Sequence, residues 1–201
     1  MNLTRIIAIG KLSILILFSV CLTHCNNKKE THQWSDAHID AQISKDLIYQ
    51  QLNAQEEIRS PMEKRDSFMK RTSDVAYFKG EKIDFKDDKY SKFNNCRAYF
   101  HSDTLAINIG IGNGFAGQGF LINYKNEKFY TEPYYYTDVI TGEADPTYKI
   151  VYQKLTLDKS GYKAGDSLYG KIEFKSLETD HDGTKIEHFG KGNFRAKVKM
   201  R

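Results

Sequence analysis

The chain lacks an apolar run long enough for a permanent membrane span. The stretch 12–18 is cut off from Ile6, Ile7 and Ile9 by Lys11, and it covers roughly half of the ~20 residues a bilayer-crossing helix needs. A large charge of one sign is also missing. The 30 Lys and Arg stand against 26 Asp and Glu, and without Arg5 and Lys11 of the first segment the excess is only two. That balance gives no electrostatic case for nucleic acid. Proline (3), tryptophan (1) and cysteine (3) are scarce, and no internal repeat or low-complexity segment interrupts the chain. Tyrosine and phenylalanine are plentiful, at 13 and 12 residues, which favours strands over helices in any buried layer. A length of 201 residues suits one domain plus a targeting segment.

The first 25 residues pass from Arg5 through the apolar stretch to Cys21 and Cys25, the profile of a signal peptide. Here the chain resembles bacterial lipoprotein precursors, in which an apolar stretch ends at a cysteine that receives lipid and becomes the first mature residue. Cys25 fits that role better than Cys21. It has Leu22 three residues before it and Asn26, Asn27, Lys28, Lys29 and Glu30 after it, whereas Cys21 is followed by Leu22. Thr23 and His24 replace the small residues usual before the cysteine, and such a relaxed site followed by Asn and Lys is similar to lipoproteins of the Bacteroidota type. The resemblance implies a signal peptide over residues 1–24, acyl chains such as palmitate on Cys25, and a place in the bacterial cell envelope, lipid-anchored to the outer membrane. Two or more chains anchor stably because each buried methylene contributes about 0.8 kcal/mol. An ordinary secreted protein cleaved nearby is the alternative. With Cys21 removed and Cys25 lipidated, Cys96 alone remains, so no intramolecular disulfide is possible and Cys96 reads as a small core residue.

Residues 25–35 read as a lipidated tether, polar and without periodicity. A helical segment is expected over 36–72. Ser35 or Asp36 would cap a helix running to Arg59, ended by Ser60 and Pro61, with Ile39, Ile43, Leu47, Ala54 and Ile58 on one side and a second short turn over 62–71. From 73 to 201 the pattern changes to an antiparallel β-domain. Leu105, Ile107, Ile109 and Ile111 alternate with smaller or polar residues, as do Phe120, Ile122 and Tyr124, and Leu168, Ile172 and Phe174. Phe194, Ala196, Val198 and Met200 oppose a basic row of Arg195, Lys197 and Lys199, read as solubilising or edge-protecting. Turn signals at Asn126-Glu127, Thr141-Gly142, Ser160-Gly161, Ala164-Gly165 and Asp182-Gly183 separate the runs. The expected fold is mainly β, an antiparallel β-sandwich or partly open barrel preceded by an α-helix. The spacing from Gly165 to Val198 also resembles small lipoprotein β-domains of unknown function in the same bacteria, which carry no catalytic motif to transfer.

Few residues suggest chemistry. Gly110, Gly112, Gly114, Gly117 and Gly119 invite comparison with phosphate-cradling loops, but those open a helix, whereas a strand over 120–124 follows here. The cluster therefore reads as a glycine-rich hairpin or bulge exploiting positive φ, with Phe115 at its tip placed to touch a ligand. Asp180 and Asp182 are candidate calcium ligands beside His181, Glu187 and His188. The bidentate Glu that completes a calcium loop is replaced by Phe189, so a solvated Asp-Gly turn is the better reading. His101, Ser102 and Asp103 are consecutive, unlike a triad assembled from separate parts of a fold. Tyr134 and Tyr136 share one strand face and Tyr135 takes the other, offering rings with polar tips to a ligand or half-filling a sheet.

These residues predict a membrane-anchored binding or envelope-assembly module without cofactor, not enzymatic on balance, whose partner is an envelope protein or glycan. The readings from other classes are a secreted hydrolase whose site forms only in the fold, around His101, His181 or His188, and a protective envelope protein acting on one partner.

Overall fold

The computed structural model describes residues 32–52, 71–80, 92–93, 95–112, 115–139, 142 and 144–200. The segment beginning at Gln33 forms one unit. Its alternating strands order as β1 (Ser35–Asp36), β2 (His38–Ile39), β3 (Val75–Lys79), β4 (Lys92–Phe93), β5 (Asn95–His101), β6 (Thr104–Gly112), β7 (Ala116–Lys125), β8 (Lys128–Thr137), β9 (Thr147–Leu157), β10 (Ser167–Thr179) and β11 (Lys185–Met200). Tight turns make the antiparallel hairpins. Asn126 and Glu127 both take positive φ (51° and 62°) between β7 and β8, the twist-matched geometry of a two-residue connection. Gly183 at φ 85° serves the β10–β11 turn.

The strands form one open mixed sheet in the order β1-β8-β7-β6-β5-β11-β10-β9-β2, with β3 paired to β11 and β4. Two pairings depart from the all-antiparallel expectation, β11 with β5 and β2 with β9, both parallel. β11 pairs with β10 along nearly its whole length, while its other edge meets β3 at His188–Lys191 and β5 at Val198–Met200.

The expected helix from 35 or 36 to 59 is replaced over its first part by strands. Ser35 and Asp36 pair with β8, and His38 and Ile39 with β9. The physical reason is tertiary. Without this segment β8 and β9 would end the sheet path and present unpaired backbone groups, which a passing segment satisfies more fully than an isolated helix could. Gln153 ties the three together: its Nε2 donates to Gln33 O and Ser35 Oγ (2.9 Å each), and its Oε1 accepts from Thr131 N at 2.9 Å. Among the described residues up to Leu52, a 3-10 turn, Ile43–Lys45, and a five-residue helix α1, Leu47–Gln51, follow. The rest of the expected helix, the second turn up to residue 70, Cys25, its leader and residues 26–31 of the tether lie outside the described residues. No helix among the described residues is long and apolar enough to cross a membrane.

Inward faces carry the core. Ile107, Ile109, Phe120, Ile122, Phe129, Leu155, Leu157, Leu168, Ile172, Phe174 and Phe194 are buried in one cluster, which also contains Cys96. A smaller cluster of Ile43, Tyr49 and Leu52 packs with Tyr169. Arg195 does not belong to a solvated basic row. Its Nη1 donates to the carbonyls of Tyr49 and Leu52 at 3.1 Å, and its guanidinium lies 5.1 Å from the Tyr169 ring. A cation at a helix C-terminus satisfies carbonyls that the helix leaves unpaired, while Lys197 and Lys199 remain exposed. Met200, expected to face inward, is exposed because the sheet ends there.

Candidate functional site

Side-chain alternation on β8 turns Tyr134 and Tyr136 to the sheet face opposite the core, and what they cross decides the site. Gly110 of β6 stands opposite Gly119 of β7, and Gly112 opposite Gly117, with Tyr134 and Tyr136 beside Gly119 and Gly117. A Cβ on Gly117 would meet Tyr136 Cζ at 2.5 Å and Oη at 2.6 Å, and one on Gly112 would meet the same Oη at 2.5 Å. A Cβ on Gly119 would meet Tyr134 Oη at 3.0 Å and Gly110 Cα at 2.6 Å. Both rings therefore extend from β8 across β7 to β6, over backbone that only glycine leaves bare. None of these four glycines takes the left-handed φ expected of them; close approach requires them instead. The sequence cue available was the matching spacing of two GxG pairs and one YxY pair.

The two rings are near-parallel, 19° apart with centroids 6.2 Å apart, and Tyr134 Oη donates to Asn108 Oδ1 at 3.3 Å. Burial, partly offset by the Asn108 contact and by Arg97, raises the Tyr134 phenol above its usual pKa, so it stays a proton donor. Arg97 and Tyr99 of β5, Asn108 and Ile111 of β6, and the two tyrosines line a cavity of about 510 Å³. This volume lies within the ~300–1,000 Å³ of small-ligand sites. Tyr135, on the opposite side of β8, is exposed, and Phe115, at 66% exposure, stands at the start of β7 outside the cavity lining.

The other sequence candidates resolve into structural roles. Asp182 accepts from Thr184 N (2.8 Å) and Oγ1 (2.9 Å), and Asp180 Oδ1 accepts from His181 N at 2.7 Å, so both carboxylates close the β10–β11 turn. These bonds hold both carboxyls below their usual pKa. No group of three or more metal-ligating side chains occurs among the described residues. Asp103 pairs with Lys125 in the turn between β5 and β6, and Glu187 pairs outward with Lys175 at 2.6 Å.

His188 separates from those neighbours and enters the core with Glu178 and Tyr77. Its Nε2 lies 2.6 Å from Glu178 Oε2 and its Nδ1 lies 2.5 Å from Tyr77 Oη. One neutral tautomer satisfies both contacts: Nε2–H donates to the carboxylate and Nδ1 accepts from the phenol. Burial outweighs the pull of Glu178 and, helped by Lys79, lowers the imidazole from its usual 6.5. Lys79 Nζ, 3.0 Å from Glu178 Oε1, supplies the countercharge. At 3% exposure the histidine is enclosed, so this trio holds β3, β10 and β11 together. The signal for it was the strand parity, since counting back by twos from Phe194 turns His188 inward. No family model, curated protein or solved structure matches this chain.

Proposed function

We propose that the chain is a lipoprotein displayed from the bacterial envelope, probing its surroundings through the tyrosine cavity as a binding module rather than an enzyme. One observation carries this reading. Four glycines are given over to seating two tyrosine rings on the outer sheet face, beside Arg97 and Asn108, where their hydroxyls face a cavity. Rings with polar tips bury large area on a ligand while keeping a hydrogen-bonding group. His188, which meets the Glu178 carboxylate, is shut inside the core, and His181, which meets Asp180, sits in the exposed β10–β11 turn, which suits a scaffold more than a hydrolase. We read the strand arrangement as a partly open barrel, supported by the segment 35–39 that pairs with both β8 and β9.

The anchor is tested by growing cells with an alkyne palmitate. Label is expected on the parent and on Cys21→Ala, and persistent label on Cys25→Ala would remove the assignment. For the cavity, Tyr136→Ala is expected to leave the melting temperature within a few degrees, since the residue is 45% exposed and partly exposed positions contribute little. The same variant should abolish retention of the full chain, in detergent micelles, on immobilised envelope extract. Undiminished retention would place the binding surface elsewhere.

A further inference from the structure

The direction in which the chain enters the sheet limits which end of the domain a lipid on Cys25 would hold against a membrane. β1 runs antiparallel to β8 with Ser35 opposite Phe129, so each residue before Ser35 steps toward the Thr137 end of β8. The ring of Trp34 lies 4.7 Å from that of Tyr130, and Gln153 Nε2 donates to Gln33 O while its Oε1 accepts from Thr131 N, both at 2.9 Å. Gln33 therefore stands level with Thr131. Thr137 is six residues further along β8, or about 20 Å at the usual rise of a strand. Eight steps of chain separate Gln33 from Cys25, a reach of at most about 26–29 Å. That covers the distance to the Thr137 end. Reaching the opposite end, at the Asn126-Glu127 turn, would first require a reversal of about four residues, leaving about 13–14 Å of reach. Asn126 lies five residues from Thr131, about 17 Å away, so a reversed chain falls short.

The Thr137 end is also where apolar side chains face solvent. Asp138 N donates to Phe115 O at 2.9 Å, which brings Phe115 and Val139 together where β7 starts and β8 ends. Val139 is 65% exposed, Phe115 66% and Tyr135 62%. Single exposed apolar residues are ordinary, whereas several gathered at one tip mark a contact surface. Residues 115–124 and 134–148 contain no Lys or Arg, and their acidic residues are Asp138, Glu143 and Asp145. The basic cluster that draws a protein to anionic lipid is thus missing from both segments, and the surface that fits this tip is apolar beneath neutral headgroups. The opposite end carries ion pairs, Asp103 with Lys125 and Asp36 with Lys128.

We propose that the tip formed by Phe115, Tyr135 and Val139 rests on the lipid surface that holds Cys25, with these side chains at the boundary between headgroups and acyl chains. Tyrosine suits that boundary, having an apolar ring and a polar hydroxyl, and such contacts reach about 5–10 Å deep. The tethered domain then points its Asp103 turn away from the membrane. This rests on the lipid anchor of the reading above. The test uses the full chain processed in cells to its lipid-bearing form, with an environment-sensitive fluorophore on Val139→Cys, Phe115→Cys or Asp103→Cys; Cys96 is buried and does not compete for label. Each variant is mixed with phosphatidylcholine vesicles, with or without acyl chains brominated near the headgroup. All three should float with the vesicles. Emission from positions 139 and 115 should shift to the blue and be quenched by the brominated lipid, and emission from position 103 should do neither. Flotation with the 139 and 115 labels unquenched would overturn the tip contact and leave the anchor standing. A blue shift without quenching would mean that a second copy or another protein covers the tip, and would overturn the lipid contact. Equal quenching at all three positions, or quenching that needs added phosphatidylglycerol, would overturn it too. Failure to float would overturn the anchor and the tip contact together.

Discussion

Replacing Phe174 by Ala is expected to lower the unfolding free energy by about 3–5 kcal/mol, the range for emptying a buried aromatic site. Phe174 is fully buried where β3, β7, β10 and β11 meet, with ring centroids of Phe120 at 4.7 Å and Tyr77 at 6.3 Å. Across β11 its ring occupies the place of a side chain at Gly190, where an added Cβ would meet Phe174 Cδ1 at 3.0 Å and Cζ at 3.1 Å, with Cε1 closer still. Gly190 takes no positive φ, so space alone keeps it glycine. Gly190→Ala by itself should therefore cost about 1–3 kcal/mol through overpacking. In the Phe174→Ala background the new methyl enters vacated space, and the double variant should be more stable than the sum of the singles by roughly 1–2 kcal/mol. Urea unfolding of the four proteins measures this coupling, and strict additivity would show that the ring does not lie over Gly190.

Glu178→Ala should be comparably damaging, at about 3 kcal/mol, because it strips a buried network of its acceptor. His188 Nε2–H would lose its partner inside the core and the Lys79 contact would vanish, although Lys79, at 40% side-chain exposure, can turn to water. Tyr148, whose phenol is raised by burial and then by Glu178, would lose its carboxylate neighbour as well. The same network makes stability depend on pH with a definite sign. The folded-state imidazole sits below the usual 6.5, so in the window beneath that value the unfolded chain binds more protons than the folded one. The contribution is fully present above pH 6.5 and is lost as pH falls through 6.5 toward the lower folded-state value. His188→Gln should be less stable than the parent at pH 7.5, and the gap should narrow as pH drops to about 5, because the variant has nothing at this position to protonate. A gap that widens as pH falls would mean His188 is charged, not neutral, in the fold, and a constant gap would mean that folding leaves its pKa unmoved.

Much of the fold was legible because period-two alternation is a local property. The inward parity of Ile107, Ile109, Phe120, Ile122 and Phe174 was written in the chain and is what the core uses, as were the turns at Asn126-Glu127 and Asp182-Gly183. The pairing of Tyr134 with Tyr136 on one face was also readable, although their use was not. Their role depends on which strands lie beside them, and the glycines that seat them belong to β6 and β7. The amphipathic stripe at Ile39 and Ile43 was misleading for the same reason. It describes what the segment could do alone, whereas β8 and β9 supplied stronger partners for Ser35 to Ile39.

The sequence by itself determined a mainly β domain, its inward faces and most of its turns, because hydrophobic alternation and turn chemistry act over a few neighbouring residues. Only the tertiary structure decided that the open sheet includes two parallel pairings, that His188 joins Glu178 and Tyr77 in the core, that Arg195 caps α1, and that four glycines bare a floor for two tyrosines. Each of those depends on groups brought together from distant parts of the chain, and the free energy of such contacts exists only once the strands between them have found their register.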